Sequence, residues 1–216
     1  MRKNPEDRKK EIIDVAESFF SEKGYQETSV DEICDELGVA HGLFYYYFDS
    51  KEDVIEAIIE RMIGELERRF EEIVEDEGMD AEEKFKKALS LSFQRKKKRS
   101  YLASYFSRKD SPRVYYSFFD QVVEMLTPFL TEIVEQGMDE GVFHTKYPEQ
   151  TVRFWLNGRL FLFSKGYPDE DSFFEDMKAE AFMLERLLEL DRPFLTEFYD
   201  RYEDEIKEYF EKARMD

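Results

Sequence analysis

Cysteine occurs once in the 216 residues, at Cys34, and histidine twice, at His41 and His144. A single thiol excludes an internal disulfide and a cysteine-based metal cage, so a reducing compartment, the cytoplasm, is expected. The two histidines are 103 positions apart, and neither sits in a nucleophile, metal or Gly-rich phosphate pattern. No catalytic constellation can be assembled from them, and neither enzyme activity nor a cofactor nor a metal is expected. Long apolar runs are missing as well. The longest candidate, VRFWLNGRLFLF, is broken by Arg153, Asn157 and Arg159, whereas crossing a bilayer needs roughly 18 uninterrupted apolar residues. The opening MRKNPEDRKKEII lacks the apolar stretch of a secretory signal. Positive charge is in short supply: 32 Lys and Arg stand against 51 Asp and Glu, a net of −19. Residues 1–51 hold seven Lys/Arg and twelve Asp/Glu, a net of −5, so neither part of the chain is basic. Because phosphate repels acid, a nucleic-acid partner requires a local basic face with the carboxylates turned elsewhere.

What the chain does have is phenylalanine and tyrosine, 21 and 13 of them, beside one tryptophan. They recur at helical spacing, and no alternating strand pattern or internal repeat appears. Asn4-Pro5-Glu6-Asp7 predicts a helix start: a capping side chain, proline at the first position, and acids at the positive end of the dipole. Ile12, Ala16, Phe19 and Phe20, joined by Ile13 and Val15, continue it to Gly24. Ser29-Val30-Asp31-Glu32 is a capping box, or Thr28 is the cap one residue earlier, and Ile33 and Leu37 follow on one face. Ser50-Lys51-Glu52-Asp53 caps a long amphipathic helix that Gly78 closes. Further helical patterns cover 80–98, 100–108, 112–137, 148–165, 171–190 and 193–213. The expected fold is all-α, with about nine or ten helices.

The first three helices, at 5–23, 29–37 and about 40–47, are short and joined by tight glycine-containing turns. Glu36-Leu37-Gly38-Val39-Ala40 carries the cues of a helix-turn-helix: an apolar residue, a glycine able to turn sharply, and a second apolar residue pinning the turn. On the third helix Phe44, Tyr47 and Phe48 share one face, expected to pack on Ile33, Leu37 and the first helix. The other face shows His41, Gly42, Leu43, Tyr45 and Tyr46, the surface that would enter a major groove.

GYQETSVDEICDELGVAHGLFYYYFDSKEDV resembles the tetracycline-repressor (TetR) family of bacterial transcription regulators, in its Gly-aromatic, Thr-Ser, turn Gly-Val, third-helix Gly, Tyr-x-Tyr-Phe and Ser-Lys-Glu. The match covers about residues 8–54, with Gly137-Met-Asp-Glu-Gly141-Val-Phe as a weaker echo. The resemblance implies a helix-turn-helix DNA-binding domain over 1–51 and a helical ligand-binding and dimerisation domain over 52–216. It also implies that Thr28 touches a phosphate, that Ala40, His41, Gly42 and Leu43 sit against base edges, that Tyr45 and Tyr46 reach phosphate or base, and that Lys51 contacts the backbone. Two positions depart from the family: Ala40 stands where a capping Ser or Thr is frequent, and Leu43 where a small polar residue is. Arg2, Lys3, Arg8, Lys9 and Lys10 are candidates for a phosphate-binding arm. The run Arg95–Arg99 offers either help against the acidic field or a solvated helix end.

In the second domain the resemblance implies an inducer pocket, placed here beside Tyr105, Phe119 and Trp155, for a small apolar or aromatic effector. The Thr127-Pro128 step removes a helical hydrogen bond and predicts a kink. The helices at 148–165 and 171–190 carry Phe154, Trp155, Leu162, Phe174, Met177, Phe182, Leu184 and Leu188 on more than one face, so they need cover on two sides. One side is the domain core; the resemblance implies that the other is covered by a twin subunit, giving a homodimer that reads a palindromic double-stranded operator. The function expected is that of a ligand-responsive regulator, a repressor, with no membrane partner. The alternative is an acidic helical protein-interaction module without DNA binding.

Overall fold

The computed structural model describes residues 4–93, 112–165, 169–201 and 203. Every regular element among them is a helix. In chain order these are α1 (Pro5–Lys23), α2 (Val30–Leu37), α3 (His41–Tyr47), α4 (Lys51–Val74), α5 (Ala81–Phe93), α6 (Pro112–Asp139), α7 (Pro148–Lys165), α8 (Glu170–Leu187) and α9 (194–201). The helix expected at 100–108 lies outside the described residues. By internal contacts the chain falls into two compact units, whose boundary crosses α4 at Leu66–Glu67 and α6 at Tyr115–Tyr116.

In the first unit, α1 begins as its sequence dictates except at the cap. Pro5 is the first helical residue and Glu6 and Asp7 occupy the first turn, but the Asn4 side chain makes no capping bond. Ile12, Ala16 and Phe20 are fully buried and Ile13 nearly so, whereas Val15 and Phe19 are only half-buried. The Lys23 ammonium lies 4.8 Å from the Phe19 ring centre and so covers part of its exposed face. From α4, Val54, Ile55, Ile58 and Ile59 are buried, and Arg61 pairs with Asp14 and Glu17 of α1.

The second unit is built on stacked rings. Phe85 meets Phe143 and Trp155, each at 5.8 Å between ring centres, and Phe143 meets Phe194 at 6.2 Å. Helix α6 runs unbroken through Pro128, and the Thr127 hydroxyl donates to the Val123 carbonyl at 2.6 Å. The proline expected to kink this helix is carried inside it.

The Gly137–Phe143 segment has a packing reason. Gly141 takes φ 74°, a left-handed turn that glycine adopts without strain, and sends Phe143 back towards α6. A side chain at Gly137 would lie 2.1 Å from the buried Phe143 ring. Gly137→Ala therefore forces that ring out of the Phe85–Phe194 stack. Overpacking of this kind costs about 1–3 kcal/mol, which chemical denaturation should show as a lowered midpoint with an unchanged m-value.

Candidate nucleic-acid interface

The site is assembled by one capping box and one turn. At α2, Ser29 settles the choice left open by the sequence: its hydroxyl accepts from the Glu32 amide at 3.2 Å, and the Glu32 carboxylate accepts from the Ser29 amide at 2.8 Å. Lys23 also bonds Glu32, and these partners, Lys23 foremost, hold its carboxyl down at about 2. At the other end of α2, Gly38 stands at φ 61° and turns the chain towards α3. Ile33 and Cys34 are completely buried beneath that turn. Burial, assisted by Asp31 and Asp35, pushes the Cys34 thiol up, so it behaves as a small hydrophobe.

Helix α3 has seven residues and no side-chain cap, because Ala40 has no hydroxyl to offer. Docking holds it in place. Phe44 is completely buried and Phe48 is 5% exposed, their rings 5.9 Å apart. Tyr47, expected in the same core, is half-buried and lies edge-on to Tyr46 at 4.9 Å; Leu37 is half-buried too. The helix is too short for three large rings to enter one core, so the i, i+4 pair goes in and the third ring stays at the rim.

The opposite face is open. Tyr45 is 55% and Tyr46 74% exposed, Ala40, His41 and Gly42 are exposed, and Leu43 is half-buried. A Cβ added to Gly42 would meet nothing within 4 Å. Packing inside the chain therefore gives no reason for glycine here. The carboxylates are not all turned away, as the sequence reading required: Asp31 lies 3.5 Å from the His41 imidazole, well exposed.

Two side chains expected at phosphates make bonds within the chain. Thr28 is 1% exposed and its hydroxyl donates to the Gly24 carbonyl at 2.9 Å, closing the turn after α1. The Lys51 ammonium donates to the carbonyls of Tyr25 and Thr28, both at 2.7 Å, and sits 4.2 Å from the centre of the Tyr25 ring. Partial burial pushes that ammonium below the usual lysine value. Neither placement has a sequence signal, because all three acceptors are main-chain carbonyls. Of the other candidates, Lys9 lies 5.5 Å from the Phe48 ring centre and Arg8 pairs with Glu11 at 2.8 Å. Arg2, Lys3 and the Arg95–Arg99 run lie outside the described residues.

In the second unit, Trp155 is 7% exposed, and its indole N–H donates to Glu180 at 2.6 Å. Glu180 also bonds Arg159, and Arg159 donates to the Tyr199 hydroxyl at 3.1 Å. All of these side chains are buried, and burial raises the Tyr199 phenol to about 12. Arg159, read in the sequence as an interruption of an apolar run, is thus the centre of a buried polar cluster joining α7, α8 and α9. Phe119 is half-buried on α6, and Tyr105 lies outside the described residues. On α7 and α8, Trp155, Phe174, Met177, Leu184 and Leu188 face the unit's own core, whereas Phe154, Phe161, Phe182 and Met183 are each more than half exposed.

Three short helices, a glycine turn and a third helix with one buried and one bare face define a helix-turn-helix regulator. Residues 12–58 match the family described as bacterial regulatory proteins, tetR family. The HTH-type transcriptional repressor KstR2 of Rhodococcus jostii is 23% identical over 179 residues, 82% of this chain and 87% of that protein. The fatty acid metabolism regulator protein of Bacillus subtilis is 34% identical over 83 residues, 38% of this chain and 42% of that protein. Among solved structures, a TetR/AcrR-family regulator from Thermobifida fusca is 27% identical with a TM-score of 0.61, covering 86% of this chain and 99% of that one. Residues 12–58 thus carry the DNA-binding segment of the tetR family, and the chain as a whole has the fold of TetR-family transcriptional regulators. Such regulators bind DNA operators, typically as dimers with small-molecule effectors. Among the described residues no helix is long and apolar enough to cross a membrane.

Proposed function

We propose that the chain is a repressor that reads a palindromic operator as a two-fold dimer and lets go when a small apolar or aromatic effector enters its second unit. The observation that carries the DNA half is the bare face of α3. Gly42 is open and Tyr45 and Tyr46 stand in solvent, directly opposite the buried Phe44 and Phe48. Ala40, His41, Gly42 and Leu43 would approach base edges, Leu43 through apolar contact such as a thymine methyl. Tyr45 and Tyr46 would bring hydroxyls on stiff rings to phosphate or base.

The dimer half rests on Phe154 and Phe161, two turns apart on one face of α7, together with Phe182, Met183 and Leu187 on α8. Gly158 lies between the two phenylalanines with nothing near its absent side chain, which allows a second helix to come close. A twin seated there by two-fold symmetry would hold two α3 helices about one DNA turn, roughly 34–36 Å, apart. The effector half is supported by the dense rings around Trp155 and by two relatives, one named for fatty acid metabolism and a solved one described as a ketosteroid regulator. Tyr105, Phe119 and Trp155 are the proposed lining. To empty an operator-competent population, an effector must prefer the other state by about 10⁴-fold.

Selection of bound sites from random duplex DNA tests the reading. The expected product is a palindrome whose affinity falls steeply as salt rises. Phe154→Asp with Phe161→Asp should give monomers in sedimentation and reduce operator affinity by at least about tenfold, since one half-site would be held at a time. Sites without symmetry, or binding indifferent to salt, would overturn the proposal.

A further inference from the structure

Lys51 is the first residue of α4, and its ammonium reaches back to the loop between α1 and α2. Both carbonyls it holds lie just before Ser29, the cap of α2, and they are 26 and 23 residues distant in the chain. Everything between them is the helix-turn-helix itself: α2, the Gly38 turn and α3. The loop end of this closure is anchored independently. Thr28 bonds Gly24, and the Tyr25 ring packs edge-on against the buried Phe20 at 5.1 Å. The α4 end is anchored as well: the Ser50 hydroxyl accepts from the Asp53 amide at 3.1 Å, and the Asp53 carboxylate accepts from the Asp49 amide at 2.8 Å.

We infer that Lys51 is a positioning residue for DNA recognition, a clamp that fixes the register of α3 by tying the start of α4 to the α1–α2 loop, and not a phosphate contact. This rests on the operator-binding reading above. The geometry separates the two roles. Two of the ammonium's three N–H donors are taken by main-chain oxygens, with an aromatic ring at 4.2 Å, which leaves at most one for a phosphate. Hydrogen bonds to a charged donor are among the stronger kinds, and leaving those carbonyls without their partner loosens the loop. A compact ammonium suits this niche. The planar, longer guanidinium of arginine does not, although it is the better phosphate ligand.

The test uses the full chain as wild type, Lys51→Met and Lys51→Arg, each titrated with the selected operator over a salt series. Clamping predicts that Lys51→Met weakens binding by about tenfold or more. The slope of log affinity against log salt stays at the wild-type value, and Lys51→Arg fails to restore affinity. A slope shallower by about one, with affinity restored by arginine, is the signature of a phosphate contact and would overturn the inference. Unchanged affinity would do the same. Amide exchange without DNA gives a second readout: Lys51→Met should speed exchange across residues 25–32, and unaltered protection there sinks the clamp whatever the operator data show. Wild type that binds no operator would count against the DNA reading alone.

Discussion

Gly42→Leu should abolish most operator binding while leaving the protein at least as stable as before. No neighbour lies within 4 Å of the position a Cβ would take, and the residue is helical, with φ outside the left-handed region. A helix former in place of glycine gains up to about 1 kcal/mol in such a setting. Inside the chain, then, glycine is the worse choice. The new side chain projects from the face beside Tyr45 and Tyr46, where the proposed operator would approach, and it would hold the helix off the base edges. Loss of the contacts proposed for His41 and its neighbours would correspond to about two mismatched base pairs at 1–3 kcal/mol each, or on the order of 100-fold in affinity. Thermal unfolding beside operator titration separates the outcomes. A lowered melting point would place Gly42 in the packing, and undiminished affinity would remove α3 from the DNA.

Glu180→Leu should be the most destabilising single change in the second unit. The carboxylate accepts from the Trp155 indole and from Arg159, all three side chains being buried. Leucine takes the Glu180 charge from the guanidinium and the acceptor from the indole, a loss of about 3–5 kcal/mol for a broken buried pair. The informative control is Arg159→Leu combined with Glu180→Leu. Removing both charges eliminates the stranded ion, so the double variant should recover most of the stability. Denaturation midpoints of the three proteins decide it, since additive losses would mean that the pair is not coupled.

The sequence made the helices legible because their starts are chemical. Pro5, the Ser29–Glu32 box and the Ser50–Asp53 cap each mark an end within a residue or two. The bare face of α3 was legible for the same reason that any helix face is: positions 44 and 48 share one side by geometry. What escaped was whatever depends on main-chain oxygens or on distant partners. Nothing about Lys51 in SKEDV announces that it will turn onto Tyr25 and Thr28, and Thr28 in ETSV reads as a candidate cap for α2, not as the hydroxyl that closes the turn after α1. Arg159 looked like a break in an apolar run because its counter-charge, Glu180, is 21 residues away on another helix. Gly137 was visible as part of a pattern, but its purpose, the room it gives Phe143, required coordinates.

The alternation along α3 also says how such a protein can change its target. Retention depends on Phe44 and Phe48, while the outward positions 41, 42, 45 and 46 are exposed, Tyr45 alone touching the Phe44 ring with its edge. Those four can be exchanged like the teeth of a key whose shank is left alone, so new operators are reachable through substitutions that leave folding undisturbed.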